Sequence, residues 1–323
     1  MRNIPIFFTF DDNYVEPAAV AFWSLLNKTK PNVFWSMYVL SSHISSSKKK
    51  LLSDIVSKFQ NASISFCETN NFLDEEWKNN TFSGKQGGTI FTSDAILRCF
   101  AGRFFPQYDK IIYSDVDVIF VDDISELYDI PIQDKYLAAV KNVFMKYRKY
   151  ELSHLNQEHY EMLKDSYFGG GLWVLNLEKI RNDDLESKML DIIGDRTIVK
   201  RWNDQDIMNI ACENKVAYIP LNYISFPYLD DYLLKNDFVS HYTREEMYDS
   251  IINPKIIHFA GQKPWNSNPK YSNLWWSIFN YLELKETSIF SNTRDKYKKY
   301  KKLFNIMCIL CCTLIFLIIY LVW

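Results

Sequence analysis

Nowhere in its 323 residues does the chain carry a G-x-G-x-x-G or a G-x-x-x-x-G-K-[ST] run. The usual dinucleotide fingerprint and the phosphate loop of nucleoside triphosphatases are therefore both excluded. Cysteine is sparse. Cys67, Cys99 and Cys212 are scattered, and Cys308, Cys311 and Cys312 lie close to the carboxyl terminus. That spacing builds no disulfide framework and fits a reducing compartment. Cys308 and Cys311 have the C-x-x-C spacing of metal or redox sites, but in an apolar stretch they read as packing residues or acylation sites. Net charge is almost missing at −2, so nothing overall attracts nucleic acid. The N-terminus, MRNIPIFFTFDD, is too short an apolar run, and too soon acidic, to read as an export signal.

Long hydrophobic runs are lacking too, until the end. Residues 303–323 carry no charge, and only Asn305 and Thr313 are clearly polar. At ~1.5 Å per residue such a run reaches about 30 Å, the thickness of bilayer hydrocarbon, and is expected to span a membrane. Directly before it, residues 294–302 hold six cations and one acid. The small net charge thus hides a basic block on an otherwise acidic chain, which points to an anionic surface. Lysines collect on the cytoplasmic side of a span. The body is therefore expected at the cytoplasmic face of the inner membrane, held by the span and the basic block.

What is present is a globular composition, 48% hydrophobic and 24% charged. Residues 4–10 read as a strand, 11–14 as a polar turn and 15–26 as a helix, with Pro17 in the tolerated first turn. Strands follow at 33–40 and 63–67, with a helix at 45–60 between them. Strand–helix alternation of this kind predicts an α/β fold with a mostly parallel sheet. A helix is expected over 89–105, with Ile96, Leu97, Phe100 and Phe104 at helical spacing and Arg98 among them. Further strands fit 136–140, 216–219 and 256–258, and helices fit 177–193 and 207–213, the latter capped by Asn203 or Asp204. Residues 141–165, with His154 and His159, break the rhythm and read as an insertion over the site or against a partner. Residues 222–248 read as irregular. The aromatic run 268–284 reads as core first.

The run DKIIYSDVDVIFVDD, residues 109–123, organises the rest. A short apolar strand, Ile111–Tyr113, of the kind buried on both faces of a sheet, would end at Asp115 and Asp117, where open α/β sheets bind ligands. Unpaired carboxylates are costly there, and a divalent cation is a natural partner for two hard oxygen ligands. Phe168-Gly169-Gly170-Gly171 then opens an apolar strand at residues 172–176, and three glycines imply close backbone approach to a ligand or another strand. His258 ends a strand before a Gly261 turn, and Lys263 two residues on could reach a phosphate. Alone, His258 would read as a satisfied interior histidine and the Asp11–Asn13 turn as a cap.

Taken in order, Asp11–Tyr14, Arg98, Asp115/Asp117, Asp204–Gln205 and His258–Lys263 resemble glycosyltransferase family 8. That family includes bacterial lipopolysaccharide galactosyl- and glucosyltransferases and glycogenin. The resemblance covers roughly residues 4–266 and implies a GT-A fold, a Rossmann-like single domain that uses a UDP-sugar and Mn²⁺ (or Mg²⁺) with retention. Residues 1–266 would be that domain, 267–302 an aromatic and basic helical juxtamembrane region, and 303–323 the span. By resemblance, Asp115, Asp117 and His258 hold the metal. Asp11, Asn13, Tyr14, Arg98, Asp115, Gly261 and Lys263 contact the sugar nucleotide. Asp204 and Gln205 lie beside the anomeric carbon as nucleophile or cation stabiliser. Two features depart from the family pattern: HFAGQKPW is one residue shorter than H-x-x-G-x-x-K-P-W, and Gly169 stands where F-N-A-G has Asn. The expected function is transfer of Glc or Gal from a UDP-hexose to a glycan or glycolipid acceptor such as lipooligosaccharide core. The alternatives are a nucleotidyltransferase and a membrane-anchored, non-catalytic nucleotide-sugar-binding protein.

Overall fold

The computed structural model describes residues 1–69, 96–147, 152–195, 197–198, 200–235, 237–285, 287 and 290. The basic block at 294–302, the apolar run at 303–323 and the first part of the helix expected over 89–105 lie outside the described residues. Among the described residues, no helix is long and apolar enough to cross a membrane.

The main sheet is built from β1 (Arg2–Thr9), β2 (Val33–Ser41), β3 (Ala62–Glu68), β4 (Lys110–Ser114), β6 (Leu137–Lys141), β7 (Phe168–Asn176) and β8 (Val216–Tyr218). Its spatial order is β3-β2-β1-β4-β7-β6-β8. Pairs β2–β3, β1–β2, β1–β4 and β6–β8 are parallel, whereas β4–β7 and β6–β7 are antiparallel. Parallel neighbours need a crossover, and the helices Val15–Lys28 and Ser46–Val56 supply it between β1 and β2 and between β2 and β3. The expected mostly parallel α/β sheet is what forms.

Period-two alternation sorts the core into two layers. Ile4, Ile6 and Phe8 of β1 join Trp35, Ala18 and Phe22 on one face, while Phe7 joins Ile111, Tyr113 and Trp173 on the other. Burial on both faces explains why the interiors of β1 (Ile4–Phe8) and β4 (Ile111–Tyr113) are apolar.

The strand that leads to the carboxylates ends just before them, as expected. β4 ends at Ser114, and Val118–Phe120 (β5) leaves the main sheet to pair antiparallel with Ile256–His258 (β9). The break falls at Asp115–Asp117, whose side chains would otherwise enter an apolar layer. Several expectations are corrected. In the described part of the 89–105 stretch, Arg98–Phe100 is a 3₁₀ turn and Ala101–Phe104 a single helical turn. The helix expected over 177–193 is two, Leu177–Asn182 and Leu185–Gly194, parted at Asp184 with φ +48°. The helix expected at 207–213 starts at Asp204, and Asn203 precedes it without a side-chain capping bond. The segment expected to be irregular holds helices Leu229–Leu233 and Arg244–Ile252, the second with a full capping box from Thr243 and Glu246. Residues 152–165 contribute the helix Gln157–Leu163. The aromatic run forms helix Ser272–Tyr281, whose buried Trp275 and Phe279 pack with Trp265, Val20 and Ile257.

This topology brings distant segments to one edge. The carboxyl ends of parallel β1 and β4 emerge together, where open α/β sheets present ligand sites. Because β7 runs antiparallel to β4, its amino end arrives at the same edge, and the Asp115 N–H donates to the Gly171 carbonyl at 3.0 Å. β9 delivers His258 opposite Val118, one residue from Asp117.

Candidate active site

Arg98 is the inner anchor of the site. It is only 8% exposed. Its Nε donates to Asp204 Oδ2 at 2.6 Å, and its Nη1 faces Asp115 Oδ1 (2.7 Å), the Tyr113 hydroxyl (2.8 Å) and the Gly170 carbonyl (2.8 Å). Its Nη2 completes a two-pronged pair with Asp204. The guanidinium also lies 5.0 Å from the Tyr113 ring centroid and 4.9 Å from that of Trp173, where a cation is attracted to the ring faces. Burial opposes the charge, but Asp204, Tyr113 and Asp115 outweigh it and hold Arg98 fully cationic. Burial pushes the Asp204 carboxyl up to about 6, against the pull of Arg98.

With Oδ1 of Asp115 fixed by Arg98 and Tyr113, Oδ2 faces outward, 3.4 Å from His258 Nε2. The same nitrogen is 3.2 Å from Asp117 Oδ1, and the other oxygen of Asp117 pairs with Lys263. Burial acts upward on the Asp117 carboxyl, but Lys263 and His258 dominate and hold it well below the usual carboxylate range. Asp115, Asp117 and His258 each offer one ligand atom, and these atoms all lie within 4.8 Å of one another. Two hard oxygens and an imidazole form a donor set suited to Mn²⁺ or Mg²⁺.

The glycine run is explained by two of its members. A Cβ on Gly171 would sit 2.6 Å from His258 Cε1 and 2.7 Å from Nδ1, so the imidazole fits only because that side chain is missing. A Cβ on Gly170 would crowd Arg98 Nη2 at 3.1 Å and Gln205 Oε1 at 3.2 Å. Gly169 is different: an added Cβ would meet only the Val140 carbonyl, at 3.9 Å. Gln205 Oε1 accepts from the Gly170 N–H at 2.9 Å, which seats this side chain against β7. Beyond it opens a cavity of about 280 Å³, bordered by Gly169, Gly171, Trp202, Gln205, Tyr228 and His258.

At the rim, Asp11 caps the 3₁₀ turn Asp12–Tyr14 by accepting from the Asn13 N–H at 3.0 Å. The capping role is therefore present. Tyr14 packs edge-on against Trp265 with centroids 5.9 Å apart, and burial raises its hydroxyl pKa while nearby Lys263 opposes this. Gly261 has φ +84°, the left-handed region that favours glycine, and it turns the chain from His258 to Lys263. The structure thus gathers Arg98, Asp115, Asp117, Asp204, Gln205, His258 and Lys263 into one contiguous network, and Tyr14 borders it. Asp11 and Asn13 bond to each other at the same sheet edge, with Asn13 exposed.

The profile of glycosyl transferase family 8 matches residues 5–269. The chain belongs to glycosyl transferase family 8. Among relatives of this family, a lipopolysaccharide 1,2-glucosyltransferase of Escherichia coli is 24% identical over 269 residues, spanning 81% of this chain and 73% of that protein. General stress protein A of Bacillus subtilis is 25% identical over 265 residues, spanning 81% and 87%. Among solved structures, the galactosyltransferase LgtC in complex with donor and acceptor sugar analogs superposes with a TM-score of 0.67 at 19% identity, covering 88% of this chain and 98% of that one. The WbbM bifunctional glycosyltransferase gives 0.70 at 22% identity over 92% of this chain, which spans about half (51%) of WbbM. The fold is GT-A-like, and this family 8 member is a glycosyltransferase.

Sequence reasoning missed several residues of the network in this glycosyltransferase. Tyr113 carried no signal beyond strand propensity, yet its hydroxyl bonds both Arg98 and Asp115. Asp12 was read only as part of a turn. Its carboxylate accepts from Ser45 N and Oγ, each at 2.8 Å, and pairs with Lys48, which also reaches the buried Glu16. The D-N-Y-V-E spacing across a strand–helix junction was the available clue.

The close fit at Gly171 predicts a contrast between two glycines only two residues apart. Gly171→Ala is expected to lower stability by about 1–3 kcal/mol through overpacking against His258 and Ile224. Gly169→Ala should stay within about 0.5 kcal/mol of wild type. Urea unfolding of the two variants checks this; equal losses would contradict the packing described.

Proposed function

We propose that this glycosyltransferase is metal-dependent and retaining. It moves a hexose, Glc or Gal, from a UDP-sugar to a glycan acceptor of the lipopolysaccharide or lipooligosaccharide core class. The observation that carries the reading is the convergence of Asp115, Asp117 and His258 beside Lys263, with His258 lining the same cavity that Gln205 borders. Asp115, Asp117 and His258 would hold Mn²⁺ or Mg²⁺. Such a cation, when bound, neutralises a diphosphate leaving group and polarises it as a Lewis acid.

The chain's own residues supply the rest. Lys263 brings an ammonium to the same place, a point charge suited to phosphate oxygens. The Gly261 turn sets its reach. Asp11, Asn13 and Tyr14 take the nucleotide end. Arg98 serves the sugar nucleotide by keeping Asp115 and Asp204 aligned, since its donors are spent on them and on Gly170. Gln205 borders the cavity, whereas Asp204 is 2% exposed and paired with Arg98. We therefore assign Gln205 to the face of the anomeric carbon and Asp204 to its support. Retention needs either two displacements or attack on the face from which the leaving group departs, and the departing phosphate is a base available to the acceptor hydroxyl.

Names among the relatives support the acceptor class: the E. coli protein is a lipopolysaccharide 1,2-glucosyltransferase. We read residues 1–266 as the transferase domain, 267–302 as a juxtamembrane region and 303–323 as a span that holds the enzyme at the cytoplasmic face of the inner membrane, beside a membrane-borne acceptor. Carbonate washing of membranes from cells expressing the full chain tests this: the protein stays in the membrane fraction if the reading is right, and release into the supernatant refutes it.

For the chemistry, the full chain with Mn²⁺ and UDP-Glc or UDP-Gal is expected to release UDP. Asp117→Ala should lower kcat/KM by roughly 10²–10³. Release of pyrophosphate instead would make the protein a nucleotidyltransferase. UDP binding without turnover of either hexose would make it a binding protein.

A further inference from the structure

The helix Asp204–Cys212 presents Asp204 and Gln205 in its first turn, yet it starts without the usual side-chain cap. Asn203, the residue before it, has φ +44° and ψ −114° and makes no capping bond. It is 4% exposed, and its Nδ2 is buried without a partner. A non-glycine residue in such a conformation persists only where its surroundings hold it.

The residue just before Asn203 is held by Asp206, the third helical residue, which is fully buried. Its Oδ1 accepts from the Tyr167 hydroxyl at 2.6 Å. Its Oδ2 accepts from the Trp202 N–H at 2.8 Å and lies 2.9 Å from His154 Nε2. The reach from the third helical residue back over the helix start resembles one arm of a capping box, moved one residue earlier. Three segments meet on this carboxylate: the loop before the helix, the entry to β7 at Tyr167, and the His154 segment between β6 and β7. Asn209, one turn further along, brackets Phe168 with bonds to its N–H (2.9 Å) and carbonyl (3.1 Å). The helix is thereby fixed in register on β7, the register in which Gln205 meets Gly170.

We propose that Asp206, latched by His154 and Tyr167, is a positioning residue for glycosyl transfer that sets the Gln205 side chain between the Gly170 N–H and the cavity. This rests on the assignment of Gln205 to the donor sugar. Asp206 does not itself attack the sugar: it has no exposed surface, and both its oxygens are engaged. His154 gives the inserted segment a function, the outer half of the latch.

The test uses the full chain and Asp206→Asn. That variant keeps the shape but loses an acceptor oxygen, and its kcat should fall about 100-fold, the scale of a misplaced reacting group. KM for the UDP-hexose should stay within about threefold, because the residues assigned to the diphosphate are untouched. His154→Gln, which preserves a donor, should recover most of the rate lost in His154→Leu. Hydrogen exchange supplies a readout without turnover: the peptide containing Gly170 should exchange at least tenfold faster in Asp206→Asn, while β1 and β2 stay protected. Wild-type kcat, parallel changes in kcat and KM, no rescue by Gln, or unchanged exchange at Gly170 would each overturn the proposal. If the wild-type chain turns over no UDP-hexose, the functional reading fails by itself, and the exchange measurement still decides the latch.

Discussion

A guanidinium with almost no access to water must have every donor answered, because burying an unpaired charge costs several kcal/mol. Arg98 meets that demand with Asp204, Asp115, Tyr113 and the Gly170 carbonyl. These partners come from a helix start, two strands and the residue just past a strand end, so one side chain ties together elements far apart in sequence. The geometry of the site follows. With one oxygen of Asp115 held inward, the other faces His258 and Asp117, and with Asp204 held, its neighbour Gln205 reaches Gly170.

The remaining charges are balanced in the same manner. Asp117 keeps its ionised form in a buried place because Lys263 and His258 stand beside it. Burial raises the neighbouring Asp204 instead, with Arg98 as its counter-charge. The site is thus a compact array of alternating charges, with Lys263 and His258 set against Asp117 and Arg98 set against Asp115 and Asp204. Glycine makes this density possible. Gly170 and Gly171 leave room for the Arg98 and His258 side chains, and Gly169 leaves space beside the cavity.

Much of this was legible in the sequence, and the limits have physical causes. Most strands of the main sheet and the polar residues after them were readable, since alternation and strand–turn–helix rhythm are local patterns. Asp115 and Asp117 could be nominated because carboxylates inside an apolar run demand partners, and Lys263 because it follows a glycine turn, whereas His258 joined them only through the resemblance to family 8. The helix boundaries were less accessible: Asp184 and Asn203 take left-handed conformations that no glycine announced. The split of residues 111–121 between two sheets was also hidden, because both halves are equally apolar and only tertiary pairing separates β4 from β5. The partners of Arg98 and the latch on Asp206 depend on contacts across 15 to 106 residues, which one sequence does not encode in any local pattern. The glycine run foretold close approach, but not that side chains of Arg98 and His258 were what approached.

The account depends most on Asp115, Asp117 and His258 sharing one cation. Pulsed electron paramagnetic resonance of the full chain loaded with Mn²⁺ addresses this directly, because a nitrogen bound to the ion leaves its own modulation in the spin echo. The expected result is coupling from a single imidazole nitrogen that disappears in His258→Leu. A bound Mn²⁺ without nitrogen coupling, or with coupling indifferent to that substitution, would contradict it.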